Sequence, residues 1–291
     1  MNHNLKYRVA FVLSSFISIS AFANSPKPVR DSIDLVAEST FTQGVEGPVV
    51  GPHGYLYAVN FSKQGTIGKI DSKGSAQLYV ALPEGSTGNG LQFSPSGLLY
   101  VADYTGHNIL MVDPKTKSVS VHAHNAEMNQ PNDIAMMSDG TLFASDPNWS
   151  KGNGQLWRIS PDGQTQRMAE NLGTTNGIAI SPNEKILYVN ESVQRKVWAY
   201  DLDKNHNISN KRLLIEFNEH GLDGMRCDKL GNLYIARYGA GVVLKVTPQG
   251  RVIKEFRLKG LFPTNVALSN DQSRLYVTMQ KRGSVEYLVL N

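Results

Sequence analysis

Apolar and polar positions alternate through most of the chain, and the alternation recurs in six copies of one template. Each copy opens on a polar residue, usually followed by Gly. An apolar alternation then runs into a Ser/Asp/Pro/Gly turn and ends in a Leu-Tyr-Val-Ala-type strand. The copies are EGPVVGPHGYLYAVN from Glu46, NGLQFSPSGLLYVAD from Asn89, NDIAMMSDGTLFASD from Asn132, NGIAISPNEKILYVNE from Asn176, DGMRCDKLGNLYIAR from Asp223 and TNVALSNDQSRLYVT from Thr264. Successive copies start 41 to 47 residues apart. Period-two patterning, β-branched and aromatic residues and Gly/Pro/Asp/Ser punctuation predict strands, with no helical period after the leader.

Two more short strands follow each hairpin, as at Asn108–Asp113 and Ser118–Ala123, or Gln155–Ile159 and Thr165–Ala169. Four strands per unit in six units predict an all-β six-bladed β-propeller with four-stranded blades. The sixth copy has only one strand after it, Ser284–Leu290. The segment Ser32–Thr40 reads as a strand that fills the missing outer position. The ring is therefore expected to be closed by an N-terminal strand.

Composition adds the setting. Residues 1–23 read as a signal peptide: Lys6 and Arg8, an apolar run from Val9 to Phe22, then Ala21-Phe22-Ala23. Cleavage after Ala23 leaves residues 24–291 as a single propeller domain, periplasmic or secreted. No cysteine lies near the cleavage point, so no membrane anchor is expected. Cys227 is the only cysteine, which excludes an internal disulfide, and its place in a strand pattern makes it a buried residue. A net charge of +4 with no basic run excludes a nucleic-acid partner. No coiled-coil pattern is present, and a monomer is expected.

Radial repetition turns the first template position into a ring around the axis. Its occupants are Glu46, Asn89, Asn132, Asn176, Asp223 and Thr264, all oxygen donors and two of them carboxylates. Such a set suits a hard divalent cation, Ca²⁺ or Mg²⁺, whereas turn preference alone would explain one or two of the positions. Residues after each second strand return to the same face: Asn60 and Phe61, Asp103 and Tyr104, Asp146 and Asn148, Glu191, Arg237 and Tyr238, and Gln280. They are polar and aromatic, as the wall of a small-ligand pocket would be. Asp103 and Asp146 also suit a purely structural role in closing turns.

These repeats, above all QPNDIAMMSDGTLFASDP, TTNGIAISPNEKILYVNES and GLDGMRCDKLGNLYIAR, resemble the senescence marker protein/gluconolactonase family, on its gluconolactonase side. That family includes regucalcin and, more distantly, diisopropyl fluorophosphatase. The resemblance covers roughly Phe41 to Leu288. It implies a divalent ion, usually Ca²⁺, held by Glu46, Asn132, Asn176 and Asp223, with Mg²⁺, Mn²⁺ or Zn²⁺ as alternatives. It also implies lactone hydrolysis, with Asp223 as base or nucleophile and a small lactone as substrate. Asn89, Asn132, Tyr104, Gln130 and Arg237 are the candidate substrate contacts. Gln130 stands where many members carry Arg. His53 and His107 are secondary candidates as proton shuttles. A non-enzymatic binding propeller and a phosphoester or organophosphate hydrolase using the same metal site are the competing readings.

Overall fold

The computed structural model describes residues 30–290, so the leader and its cleavage site lie outside the described residues. Six four-stranded antiparallel sheets follow one another along the chain and form a ring. Within each blade the second strand is the most buried. Leu56–Val59 is buried throughout, and so are Leu99–Asp103 and Leu233–Arg237. Both of its faces meet a neighbouring blade, which is why these strands read as continuous LYAV-type runs. Outer strands such as Ala76–Ala81 and Val252–Arg257 are mostly exposed, with Val80 and Phe256 as their buried anchors.

The ring has no single central core. Six apolar wedges each straddle one blade interface. Val59, Leu91 and Val101 join the first two blades, Ile134 and Trp157 meet Tyr100 and Ile109, and Phe143 and Leu156 meet Ile178 and Val189. Equivalent wedges complete the circle. Truncating a large side chain in any one wedge should cost about 2–5 kcal/mol and loosen two blades at once.

Closure follows the expected scheme with a shorter strand. Ile33–Val36 pairs antiparallel with Ser284–Val289, Ile33 opposite Tyr287 and Val36 opposite Val285. The chain leaves the sheet after Val36 and turns at Ser39, whose φ is 61°, before Phe41 bridges to Phe61. The seam is polar as well as apolar. The fully buried Glu286 accepts from Ser32 Oγ, from the Lys259 and Gly260 amides and from Arg282. Arg282 also pairs with Asp34 at 2.8 Å and Glu38 at 2.7 Å, which ties the first strand to the last blade. Among the described residues no helix is long and apolar enough to cross a membrane.

Candidate metal centre at the propeller axis

All six ring residues line one cavity of about 720 Å³ at the axis. Asn89, Asn176 and Thr264 lie inside their innermost strands, Gly88–Phe93, Thr175–Ile180 and Pro263–Leu268. Glu46, Asn132 and Asp223 precede theirs, yet each keeps a backbone bond to the second strand of its own blade. The Glu46 carbonyl accepts from Val59, Asn132 donates to Ser145 O and Asp223 donates to Ala236 O. Neighbouring blades are also stitched together here, through Gly90 N to Asn132 O and Gly224 N to Thr264 O, both 2.7 Å. The small residues that follow the ring positions make this approach feasible. A Cβ on Gly47, where φ is +54°, would sit 2.0 Å from the Asn89 carbonyl oxygen, and one on Gly177 would sit 2.5 Å from that of Asp223.

The electrostatics of the ring are unbalanced. Glu46 and Asp223 are within hydrogen-bonding contact of each other. Burial, helped by the Asp133 carboxylate, pushes the Glu46 carboxyl up to about 7, against a bond from the Gly47 amide at 2.6 Å. Burial and the Glu46 charge raise the Asp223 carboxyl well above its usual range, although Asn176 bonds to its ionised form. Just below lies Asp133, fully buried and gripped by Arg226 through contacts of 2.7 and 3.1 Å. Arg226 thus pairs with Asp133, and its charge also acts on Glu46. The Oδ1 atoms of Asn89 and Asn176 are buried with no hydrogen-bond partner. Carboxylates crowded together beside unpartnered amide oxygens are a donor set that fits a hard divalent cation. Thr264 differs from the other five, because its hydroxyl is already spent on Val45 O and Thr278. Among the described residues no group of three His, Cys, Asp or Glu side chains is placed to hold a metal ion, so any cation here would rely on the amides.

The second tier divides. Asn60, Tyr104, Tyr238 and Gln280 line the axial cavity, with Tyr238 donating to Gln280 Oε1 at 2.6 Å. Arg237 does not reach it. Its guanidinium stacks 3.9 Å over the Phe217 ring and donates to the Glu219 carbonyl, a buried packing role in place of the expected substrate contact. Gln130 lines an adjoining cavity and meets the axial one only through Tyr104. Asp103 and Asp146 are fully buried within the second strands of their blades, Leu99–Asp103 and Leu142–Asn148. Asp103 accepts from Ser86, Thr87, Gly106 and Asn108, and Asp146 from the Asn129 and Gln130 amides and the Trp157 indole. His53 is exposed on the turn between the first two strands of its blade, at the end opposite Glu46, and His107 lines the adjoining cavity. Cys227 is partly buried, and burial pushes its thiol up to about 12, which makes it unreactive.

Sequence patterning missed Gln43, Gln64, Trp149, Arg195 and His220, all on the cavity wall. They sit in connections outside the repeat template, so no shared position marked them. Arg195, whose Nε donates to Phe217 O at 3.3 Å, is the one Arg or Lys among the described residues that line this cavity.

Comparison with known proteins places these residues in context. The family model described as the SMP-30/Gluconolactonase/LRE-like region matches residues 45–281. A gluconolactonase of Zymomonas mobilis is 33% identical over 175 residues, 52% of this chain and 49% of that protein. The chain spans about half the length of several curated relatives it matches. The diisopropyl-fluorophosphatase of Loligo vulgaris is 26% identical over 86% of this chain and 92% of its own. A calcium-binding regucalcin from Agrobacterium tumefaciens superposes with a TM-score of 0.76 at 21% identity, covering 88% of this chain and 92% of that one, a likeness of fold.

Proposed function

The chain belongs to the SMP-30/gluconolactonase/LRE-like family, and from that premise we propose that it is a divalent-cation-dependent hydrolase of small lactones, sugar lactones first. One observation carries the reading. Two carboxylates in mutual contact and two unpartnered amide oxygens converge on the wall of a cavity large enough for a sugar. The cation, Ca²⁺ first, would be held by Glu46, Asn132, Asn176 and Asp223, where it would polarise the acyl oxygen and keep the carboxylate pair ionised.

The protein groups supply the rest. Asp223 takes the proton of the water that adds to the acyl carbon; the ring C–O bond then breaks, and the alkoxide it frees takes that proton back from Asp223. Direct attack by the Asp223 carboxylate is the variant mechanism. Asn89, Asn132 and Tyr104 offer neutral hydrogen bonds to sugar hydroxyls. Arg195 brings a positive charge to the wall, suited to the carboxylate that ring opening releases. The same reading holds the mature chain to be an exported monomer starting at Asn24, which N-terminal sequencing and light scattering would check.

The test is hydrolysis of a lactone panel that includes glucono-1,5-lactone, followed by a pH indicator with Ca²⁺ and then with chelator. Turnover should require the cation and fall at least about 10³-fold in Asp223→Ala, the scale of losing a catalytic acid–base group and a ligand together. No turnover, with Ca²⁺ still raising the melting temperature, rejects lactones but keeps the metal site. No turnover and no response to cations leaves a binding propeller. Phosphotriesters belong in the panel, because the alignment with the fluorophosphatase spans most of both chains.

A further inference from the structure

A second cavity, about 510 Å³, adjoins the axial one, and Tyr104 and Trp149 form walls of both. It lies between the second and third blades. The third blade makes room for it in a way the others do not. Its second strand, Leu142–Asn148, is seven residues long, while those of the other blades have four to six. The extension carries Trp149 out beside the cavity, 39% exposed, whereas the other two tryptophans lie within their blades.

The wall is built and held. The Asn129 and Gln130 amides both donate to the buried Asp146 carboxylate. Asn148 donates to Asn129 Oδ1 at 3.1 Å and accepts from Ser150 and Lys151, which fixes the base of the Trp149 turn. His107 bonds through Nδ1 to Met128 O at 2.7 Å, leaving Nε2 as the nitrogen for a ligand. Among the described residues that line it there is no Asp, Glu, Lys or Arg. An exposed indole face ringed by carboxamides, a hydroxyl and an imidazole fits a neutral polyol. A pyranose places its C–H face on the indole and its hydroxyls on the amides, while a phosphate or a carboxylate would find no partner charge.

We propose that this side cavity is a subsite for a second sugar ring, so that the substrate is a glycosyl-substituted aldonolactone with its lactone ring at the axis. The proposal rests on the lactonase reading for the chemistry, and on the side cavity alone for the second ring. The shared wall lets one ligand span both cavities, and Tyr104 and Trp149 then sit at the glycosidic bond.

The test compares glucono-1,5-lactone with cellobiono- and maltobiono-1,5-lactone in the wild type and in Ser150→Trp. That substitution fills the side cavity from its outer wall and touches no residue of the axial ring. Binding of cellobiose is titrated in parallel by tryptophan fluorescence in the wild type, in Ser150→Trp and in Trp149→Phe, which assigns the signal. The wild type should prefer a disaccharide lactone at least tenfold in kcat/KM. Ser150→Trp should raise KM for the disaccharide lactones at least tenfold more than it raises KM for glucono-1,5-lactone, which erases that preference. Equal or better turnover of glucono-1,5-lactone, with Ser150→Trp indifferent for every substrate, overturns the subsite and spares the lactonase. No lactone turnover, with a cellobiose signal that Ser150→Trp abolishes, overturns the lactonase and keeps the sugar site. Neither turnover nor binding overturns both.

Discussion

Arg226 is the counter-charge of Asp133 and also acts on Glu46, and replacing it with Met tests the electrostatic account of the site most directly. Its side chain is 15% exposed and that of Asp133 is 1% exposed, and the two are joined by a bidentate contact. Breaking a buried pair by removing one partner strands the other charge and costs about 3–5 kcal/mol. For a chain of this size that lowers the melting temperature by roughly 6–20 °C. Equilibrium unfolding in denaturant with chelator present, at an unchanged m-value, is the assay. The double variant Arg226→Met/Asp133→Asn removes the stranded charge and keeps an acceptor for the Ile134 amide, now bonded at 3.0 Å. It should lose only about 1–3 kcal/mol, the scale of an imperfectly satisfied polar group. Loss of the guanidinium also leaves the axis more negative, so Ca²⁺ should stabilise Arg226→Met more than it stabilises the wild type. A loss below about 1 kcal/mol in Arg226→Met, or a double variant as unstable as the sum of its singles, refutes the reasoning.

Three more outcomes follow from the same geometry. Because the Glu46 carboxyl is raised from 4.5 to about 7 by folding, the native state binds the extra proton. Stability in chelator should therefore fall as pH rises from about 4.5 to about 7, with the raised Asp223 carboxyl adding to the fall, and Ca²⁺ should restore it in the upper range; a flat melting profile over that window contradicts this. Arg195→Met should lower kcat/KM with little change in stability, whereas Arg237→Met should cost about 1–3 kcal/mol of stability by losing the Glu219 bond and the Phe217 stack. Unfolding curves beside lactone kinetics separate the two, and the reverse pattern would return Arg237 to the site. Glu286→Ala should cost about 3–5 kcal/mol, since Arg282 and the Lys259 and Gly260 amides lose a fully buried acceptor at the seam; thermal melts showing less than 1 kcal/mol would mean the apolar pairing alone closes the ring.

The six-bladed ring and the identity of its axial residues were legible in the chain itself. Strand formation here is a local matter of period-two alternation and turn residues, and the copies repeat both in register. A template position repeated six times must become a circle of equivalent places, so Glu46, Asn132, Asn176 and Asp223 could be grouped before any contact was known. The short closing strand was legible for the same reason, since five complete blades and one incomplete blade leave a single position to fill.

What the repeat could not decide is where side chains go once they leave it. Arg237 and Tyr238 are adjacent, yet Tyr238 faces the cavity and Arg237 turns onto Phe217, a choice made by the packing of a connection twenty residues away. Asp103 and Asp146 are held by amides of the connections that enter their blades, which the fold brings to them. The pairing of Arg226 with Asp133 joins residues 93 apart, and the side cavity exists only because one blade's longer hairpin stands against the loops of its neighbours. Local periodicity determines strands and rings. Counter-charges, cavity walls and side-chain direction depend on contacts between blades, which tertiary structure alone brings together.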